Sequence, residues 1–450
     1  MRRVVRRCFP GSRRVIVLLM IVALVAASVV PNLVVARSAE PQVIVSPSAQ
    51  TLPGMFQVVN AGSGDQTDPH VDCNLVSYTN DDFFGSSTVR YLDFSTGIDR
   101  AIPFNGQDSL SRVSGNQIVF TEASQIGDQI VVFDTASQTR TVIPGNRRSS
   151  PAIGGTLVAF EDRSFSSNWN ESEISLYDVS TATLTRLTDD TLFDGNAAVS
   201  PNGNAVVWEK CQTSAFDCDV YAAIQTSPSV FTTTALTGAE GEDHQPETNG
   251  AIVVYASNRG GETDIYFQPV TGGAETRLSI PGDQRDPSIS GNLIAFESQG
   301  QPFNPTEYDI LAYDISGGKL YRVTNTPTDE TLSHISVCNG TGRLVYAAPA
   351  SDYDVYAFTF QVPSSTANQI NDLIALVHNF NLPDGIENSL TTKLRDALAA
   401  IDVSDNATAC DSLTAFISEV QAQSGKKLTA QQSAQLINSA NQIKTSLGCQ

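Results

Sequence analysis

The sequence predicts an all-β propeller followed by a small all-α helical bundle. Three observations carry this. Two strand signals recur every 40–50 residues between about residues 60 and 360, that stretch shows no helical periodicity, and the apolar period changes after Pro363. The 450 residues are 41% hydrophobic and 17% charged, with 31 Gly and 21 Pro. That composition excludes a coiled coil, a multi-span membrane protein and a largely disordered chain.

The chain opens with Arg2, Arg3, Arg6, Arg7, Arg13 and Arg14, then an apolar run from Val15 to Val30. Its 16 residues are fewer than the roughly 20 that a spanning helix needs. Val34-Val35-Ala36 follows as a cleavage site, so 1–36 reads as a signal peptide and 37–51 as a linker. The expectation is a secreted or extracytoplasmic protein of bacterial type, free of the membrane once the leader is removed, and a monomer. Against 48 acidic residues the chain carries 27 basic ones, a net charge of −21. With the six leader arginines removed, 21 basic residues remain and the charge becomes −27. Nucleic acid and anionic membrane surfaces are poor partners for such a surface.

The first strand signal ends on Tyr78, Phe120, Phe160, Trp208, Tyr255, Phe296 and Tyr346. The second is anchored at Val89, Ile130, Ile174, Val220, Ile265, Ile310 and Val355. Gly, Asn, Asp and Pro bound each run, as expected for strands joined by turns. Seven repeats imply seven blades, with six as the alternative count, over residues 52–362. The last repeat has no fourth strand of its own. An orphan strand at Met55–Asn60 is placed to complete it and close the ring.

Within the repeats, Ser200-Pro201-Asn202-Gly203-Asn204 and Ala256-Ser257-Asn258-Arg259-Gly260-Gly261-Glu262-Thr263-Asp264-Ile265-Tyr266 resemble the blade motif of TolB-like propellers with PD40-type repeats. Thr-rich strand ends such as Arg186-Leu187-Thr188 are also similar. TolB itself has six blades and an N-terminal α/β domain. This chain shows neither, so the resemblance does not carry over a role in the Tol–Pal system.

Six cysteines follow the leader, an even number that suits an oxidising compartment. Cys73 and Cys338 occupy equivalent positions in repeats one and seven, neighbours in a closed ring, and are expected to bridge the seam. Cys211 and Cys218 flank a hairpin turn of repeat four. Cys410 opens the third C-terminal helix and Cys449 closes the fourth, ends that meet in an antiparallel hairpin.

Four helical patterns fill 363–450: about Asn368–Phe380, a face of Ile386, Leu390, Leu394, Ala397, Leu398 and Ile401, a face of Leu413, Phe416, Ile417 and Val420, and a capping-box start at Thr429 with Gln432. Asn381-Leu382-Pro383-Asp384-Gly385-Ile386-Glu387-Asn388-Ser389-Leu390, Ala409-Cys410-Asp411-Ser412-Leu413 and Ala422-Gln423-Ser424-Gly425-Lys426-Lys427-Leu428-Thr429 closely resemble the FIMAH domain. That resemblance implies an extracellular accessory unit and names no ligand.

No G-x-S-x-G elbow, P-loop, HExxH or dinucleotide fingerprint occurs. Acids recur where the first strands begin: Asp65 and Asp68, Glu242 and Asp243, Asp283 and Asp286, Asp329 and Glu330. Such oxygens, Asp68, Asp283 and Asp286 among them, suit Ca²⁺, but a feature of every repeat more often makes turns and caps. His70 and His334 share one register beside the channel, with His244 in the corresponding loop of repeat five. Some TolB-like propellers are metal-dependent pectic lyases with histidine ligands, so the resemblance implies a transition-metal site on His70 and His334 as one reading. Two functions follow. The first is a non-catalytic binding or scaffold protein with no cofactor, whose propeller face takes an extracellular or envelope protein or glycan. The alternative is a metal-dependent polysaccharide lyase or hydrolase built on the channel.

Overall fold

The structure is a computed structural model. It describes residues 42–44 and 49–449 except 83–84, 104–106, 167, 169–170, 214–215, 239–240, 301–303, 351, 363–365, 381 and 403–404. The leader expected over 1–36 lies outside the described residues, as does the 239–240 part of the handover between repeats four and five.

Seven antiparallel sheets of four consecutive positions form a seven-bladed β-propeller. Their innermost strands are Asp65–Asp72, Gln107–Ser114, Arg148–Gly154, Phe193–Val199, Asp243–Thr248, Asp283–Ser290 and Thr331–Cys338. The first six blades each take four strands in chain order. The seventh ends with Tyr353–Gln361, and the N-terminal strand β3 (Gly54–Asn60) pairs antiparallel with it, Phe56 opposite Phe358. Ring closure therefore uses the orphan strand, as its sequence position predicts.

The repeating anchors explain why the sheets pack as a ring. Every one of the fourteen is buried. The third-strand anchor of each blade meets the second-strand anchor of the next: Val89 clusters with Phe120, Ile130 with Phe160, Ile174 with Trp208, and Val220 with Tyr255. Ile265 with Phe296 and Ile310 with Tyr346 continue the series. Val355 with Tyr78 completes it across the seam between blades seven and one. Each buried side chain contributes about 1.5–3 kcal/mol, so the period of the sequence becomes the period of the inter-blade core.

The 37–51 segment, expected as a linker, instead carries two more strands. β1 (Gln42–Ile44) lies parallel on the outer strand Thr276–Ser279 of blade five, with Gln42 opposite Arg277. β2 (Gln50–Thr51) lies parallel on Lys319–Arg322 of blade six. Outer strands present free N–H and C=O groups, and an extended segment passing along them completes the ladder. Leu52 then donates its amide to Arg322 O at 3.0 Å and buries its side chain between blades six and seven.

Helices α1 (Thr366–Asn379), α2 (Asp384–Asp402), α3 (Asn406–Gln423) and α4 (Ala430–Leu447) share one core that includes Ile370, Leu390, Leu394, Leu413, Phe416, Val420, Leu436 and Ile443. Thr429 forms the expected capping box with Gln432, and Asp405 caps α3 by accepting the Thr408 amide. Disulfides join Cys73 to Cys338, Cys211 to Cys218 and Cys410 to Cys449. The first spans Cα atoms 5.4 Å apart at the closure seam. Three such bonds fit an oxidising, extracytoplasmic environment. Among the described residues no helix is long and apolar enough to cross a membrane.

Candidate functional site: the central channel

Each innermost strand is broken by a bulge at the same register. Pairing shifts between Thr67 and His70, Ser109 and Arg112, Ser149 and Ala152, Gly195 and Ala198, His244 and Glu247, Arg285 and Ser288, and Leu332 and His334. In six blades the first bulged residue is left-handed: Asp68, Leu110, Ser150, Asn196, Gln245 and Asp286, with φ between 49° and 56°. Strain of this kind costs about 1–3 kcal/mol per residue and persists only where neighbours hold it. For Ser150, Asn196, Gln245 and Asp286 the preceding blade does so, the Ser150 amide donating to Thr121 Oγ1 at 3.1 Å. The Asn196 amide donates to Glu161 Oε1 at 3.3 Å, the Gln245 amide to Glu209 Oε1 at 2.6 Å, and the Asp286 amide to Gln245 Oε1 at 3.1 Å. The Leu332 amide donates to Glu297 Oε1 at 2.7 Å in the same way.

The residue after each bulge forms one ring: His70, Arg112, Ala152, Ala198, Glu247, Ser288 and His334. All but Ser288 line an inner cavity of about 60 Å³. A wider mouth of about 350 Å³ lies against the bulges and is lined by Asp68, Asn196, Gln245 and Asp286. Arg112 and Glu247 line both spaces and so mark the neck between them.

His70 and His334 come together across the seam, their rings stacked with centroids 3.7 Å apart and planes inclined by 21°. His70 Nδ1 accepts the Val113 amide at 3.2 Å, and His334 Nδ1 lies 2.9 Å from Val71 O, to which it donates. The Val113 bond requires a neutral His70 with its proton on Nε2, and the Val71 bond places a proton on Nδ1 of His334. Burial lowers both pKa values. For His70 the neighbouring His334 and Arg112 add to it, leaving the pKa well below the ordinary 6.5. For His334 burial and then Arg112 outweigh the Val71 bond and bring it down to about 3.

This pair does not fit one shared metal ion. A metal binds in the plane of an imidazole at about 2.0–2.1 Å from nitrogen. Planes inclined by only 21° at a 3.7 Å separation meet far beyond that distance. The acids do not join the histidines either. Asp283 is exposed, and its Oδ1 accepts the Thr263 amide of blade five at 3.1 Å. Asp65 and Asp329, its equivalents, accept the amides of Tyr353 and Tyr308. Asp286 sits at the mouth, bonded to the Gln245 side chain and 3.5 Å from Arg285, with its carboxyl raised by burial. Asp68 lines the mouth. Among the described residues, groups of three or more His, Cys, Asp or Glu ligand atoms within 4.8 Å are Asp72–Cys73–Cys338 and Glu209–Cys218–His244. Each counts a cysteine already spent in a disulfide.

Arg112 and Glu247 are the site residues that sequence reasoning missed. Arg112 Nη1 donates to Ser111 O at 3.2 Å, and its remaining donors have no acceptor among the described residues. Glu247 has no hydrogen-bond or ion-pair partner among them, and burial pushes it up to about 7 against the pull of Arg112. A sequence signal existed. Pro69, Pro151, Pro246 and Pro287 each precede a ring position, which would have placed Glu247 in register with His70.

No protein-family model matches the chain, and no curated protein does. Solved structures do match. The β-propeller domain of the Trilobed protease from Pyrococcus furiosus is 11% identical with a TM-score of 0.52, over 67% of this chain and 99% of that one. Oligogalacturonate lyase in complex with manganese is 11% identical with a TM-score of 0.51, over 70% of this chain and 95% of that one. TolB from Acinetobacter baumannii is 16% identical with a TM-score of 0.37, over 61% and 77%. The chain also spans about half the length of prolyl endopeptidase and acylaminoacyl peptidase chains. At these identities the likeness establishes the β-propeller fold and nothing finer.

Proposed function

We propose that this is a secreted binding protein whose propeller takes an extracellular protein or glycan segment at the mouth of its channel, with the FIMAH-like helices as an accessory unit. The observation that carries this reading is the neck: Arg112, bonded only to its neighbour Ser111 O among the described residues, and Glu247, without a hydrogen-bond or ion-pair partner among them and set on a bulge that Glu209 of the preceding blade holds in place. Building such a rigid, partly unsatisfied constellation costs stability, and a ligand supplies the missing partners. The lyase alternative gains no support from the stacked histidines, whose rings do not converge on one ion.

The test is a thermal-shift screen of peptides and oligosaccharides against the wild-type protein and an Asp68→Lys/Asp286→Lys variant. The expected result is a ligand that raises the melting temperature of the wild type, loses that effect in the variant, and is recovered chemically unchanged. Cleavage of the ligand, or stabilisation that ignores the mouth substitutions, would overturn the proposal.

A further inference from the structure

Round the channel ring, Arg112 on blade two and Glu247 on blade five are separated by Ala152 and Ala198. Both alanines are almost fully buried, and both line the inner cavity. The wall between the two charges is thus short, apolar and open. The far side of the ring is filled by the stacked His70 and His334. Arg112 and Glu247 form no ion pair within 4.0 Å among the described residues, so each faces the space between them. His70, 8% exposed, borders the same cavity, and its Nε2 has no partner among the described residues.

From this arrangement we infer that the neck binds a small zwitterion, a short peptide with free termini, carboxylate on Arg112 and ammonium on Glu247, its apolar middle along Pro151 and Ala197, which line the mouth with them. The inference rests on the proposed binding function and narrows it to one ligand class. A guanidinium fork suits a carboxylate through two parallel N–H bonds. A lone anion would meet Arg112 but also Glu247 and the Asp68 and Asp286 carboxylates at the mouth. A simple cation would be drawn in by those acids and then meet Arg112. Only a ligand with both signs satisfies both ends. Size agrees, since about 350 Å³ at the mouth lies near the lower end of the roughly 300–1,000 Å³ usual for ligand pockets.

The experiment is calorimetry on the full protein, its three disulfides formed, with the dipeptide Ala-Ala. N-acetyl-Ala-Ala, which lacks the ammonium, and Ala-Ala-amide, which lacks the carboxylate, are the controls. The expected result is binding of Ala-Ala, with each capped analogue weaker by about tenfold or more. Arg112→Ala should erase the discrimination against the amide, and Glu247→Gln that against the acetyl form. Circular dichroism and melting temperature establish that both variants fold, and Arg112→Lys keeps the charge without the fork if Arg112→Ala does not.

Glu247 must be ionised to hold an ammonium. The charged or titratable groups around it are Arg112, His70, His334, Asp72, Asp68 and Asp286. Affinity should therefore rise between pH 6 and 8 in the wild type and stay flat in Glu247→Gln. Equal binding of the capped forms, or no heat from Ala-Ala with folded protein, overturns the inference. If Ala-Ala fails while another ligand of the screen binds and is lost in the Asp68→Lys/Asp286→Lys variant, the zwitterion falls and the binding function stands. If nothing binds, both fall.

Discussion

At the scale of single residues, buried carboxylates on the second strands carry the inter-blade contacts around the channel. Glu209 accepts the left-handed Gln245 amide at 2.6 Å and the Asn196 side chain at 2.8 Å. Glu209→Ala leaves a strained, enclosed amide without an acceptor, so a loss of about 1–3 kcal/mol is expected in urea or thermal unfolding. The histidine pair sets a pH dependence. Both folded pKa values are depressed, so below about 6.5 the unfolded chain binds protons that the folded ring refuses. Their contribution is complete above pH 6.5 and lost as pH falls; for His334, brought down to about 3, the loss is about 2 kcal/mol at pH 5, and His70 adds a loss of the same sign. Glu247 and Glu297, pushed up to about 7 and about 8, act in the opposite sense as pH rises. Comparing wild type with His70→Gln/His334→Gln isolates the histidines. The variant should lose less stability than the wild type between pH 7 and pH 5, and equal losses would show that the pair carries no such linkage.

At the scale of elements, the N-terminal strands divide the work unequally. β3 closes blade seven through a long antiparallel ladder with Tyr353–Gln361, whereas β1 and β2 only add short parallel pairings at the outer edges of blades five and six. A chain beginning at Pro53 should keep the ring and melt a few degrees lower. One beginning at Ala61 leaves Tyr353–Gln361 as an open edge and uncovers Phe358, so sedimentation should find it aggregated. β3 was legible in the sequence because Met55–Asn60 is a strand without a repeat to belong to, and the last repeat lacks a fourth strand. β1 and β2 were not legible, since three and two residues make no period and their pairing depends on where the chain passes. The ring side chains were half legible for a similar reason. Two histidines in equal register stand out among four in the chain, but Arg112 and Glu247 gain meaning only once the bulge aligns seven different residues.

At the scale of the whole molecule, the anchor periods translate directly into inter-blade clusters, and for that reason seven repeats in the sequence pointed to seven blades, the count the structure shows against the alternative of six. The repeat register placed the Cys73–Cys338 bond, a hairpin turn the Cys211–Cys218 bond and an antiparallel helix pair the Cys410–Cys449 bond, and loop length ranks their effects. The Cys73–Cys338, Cys410–Cys449 and Cys211–Cys218 bonds span 265, 39 and 7 residues. Loop entropy in the unfolded chain sets ceilings of about 5–6, about 4 and about 2–3 kcal/mol in that order. The propeller and the helices have separate cores, so two calorimetric transitions are expected. Cys73→Ser/Cys338→Ser should lower the propeller transition by the largest margin and leave the helical one in place, because the Val355–Tyr78 cluster and β3 still close the folded ring while the unfolded chain gains freedom. Cys410→Ser/Cys449→Ser should do the reverse. If either double variant moves both transitions together, the two units unfold as one, and the separation of cores does not extend to separation in stability.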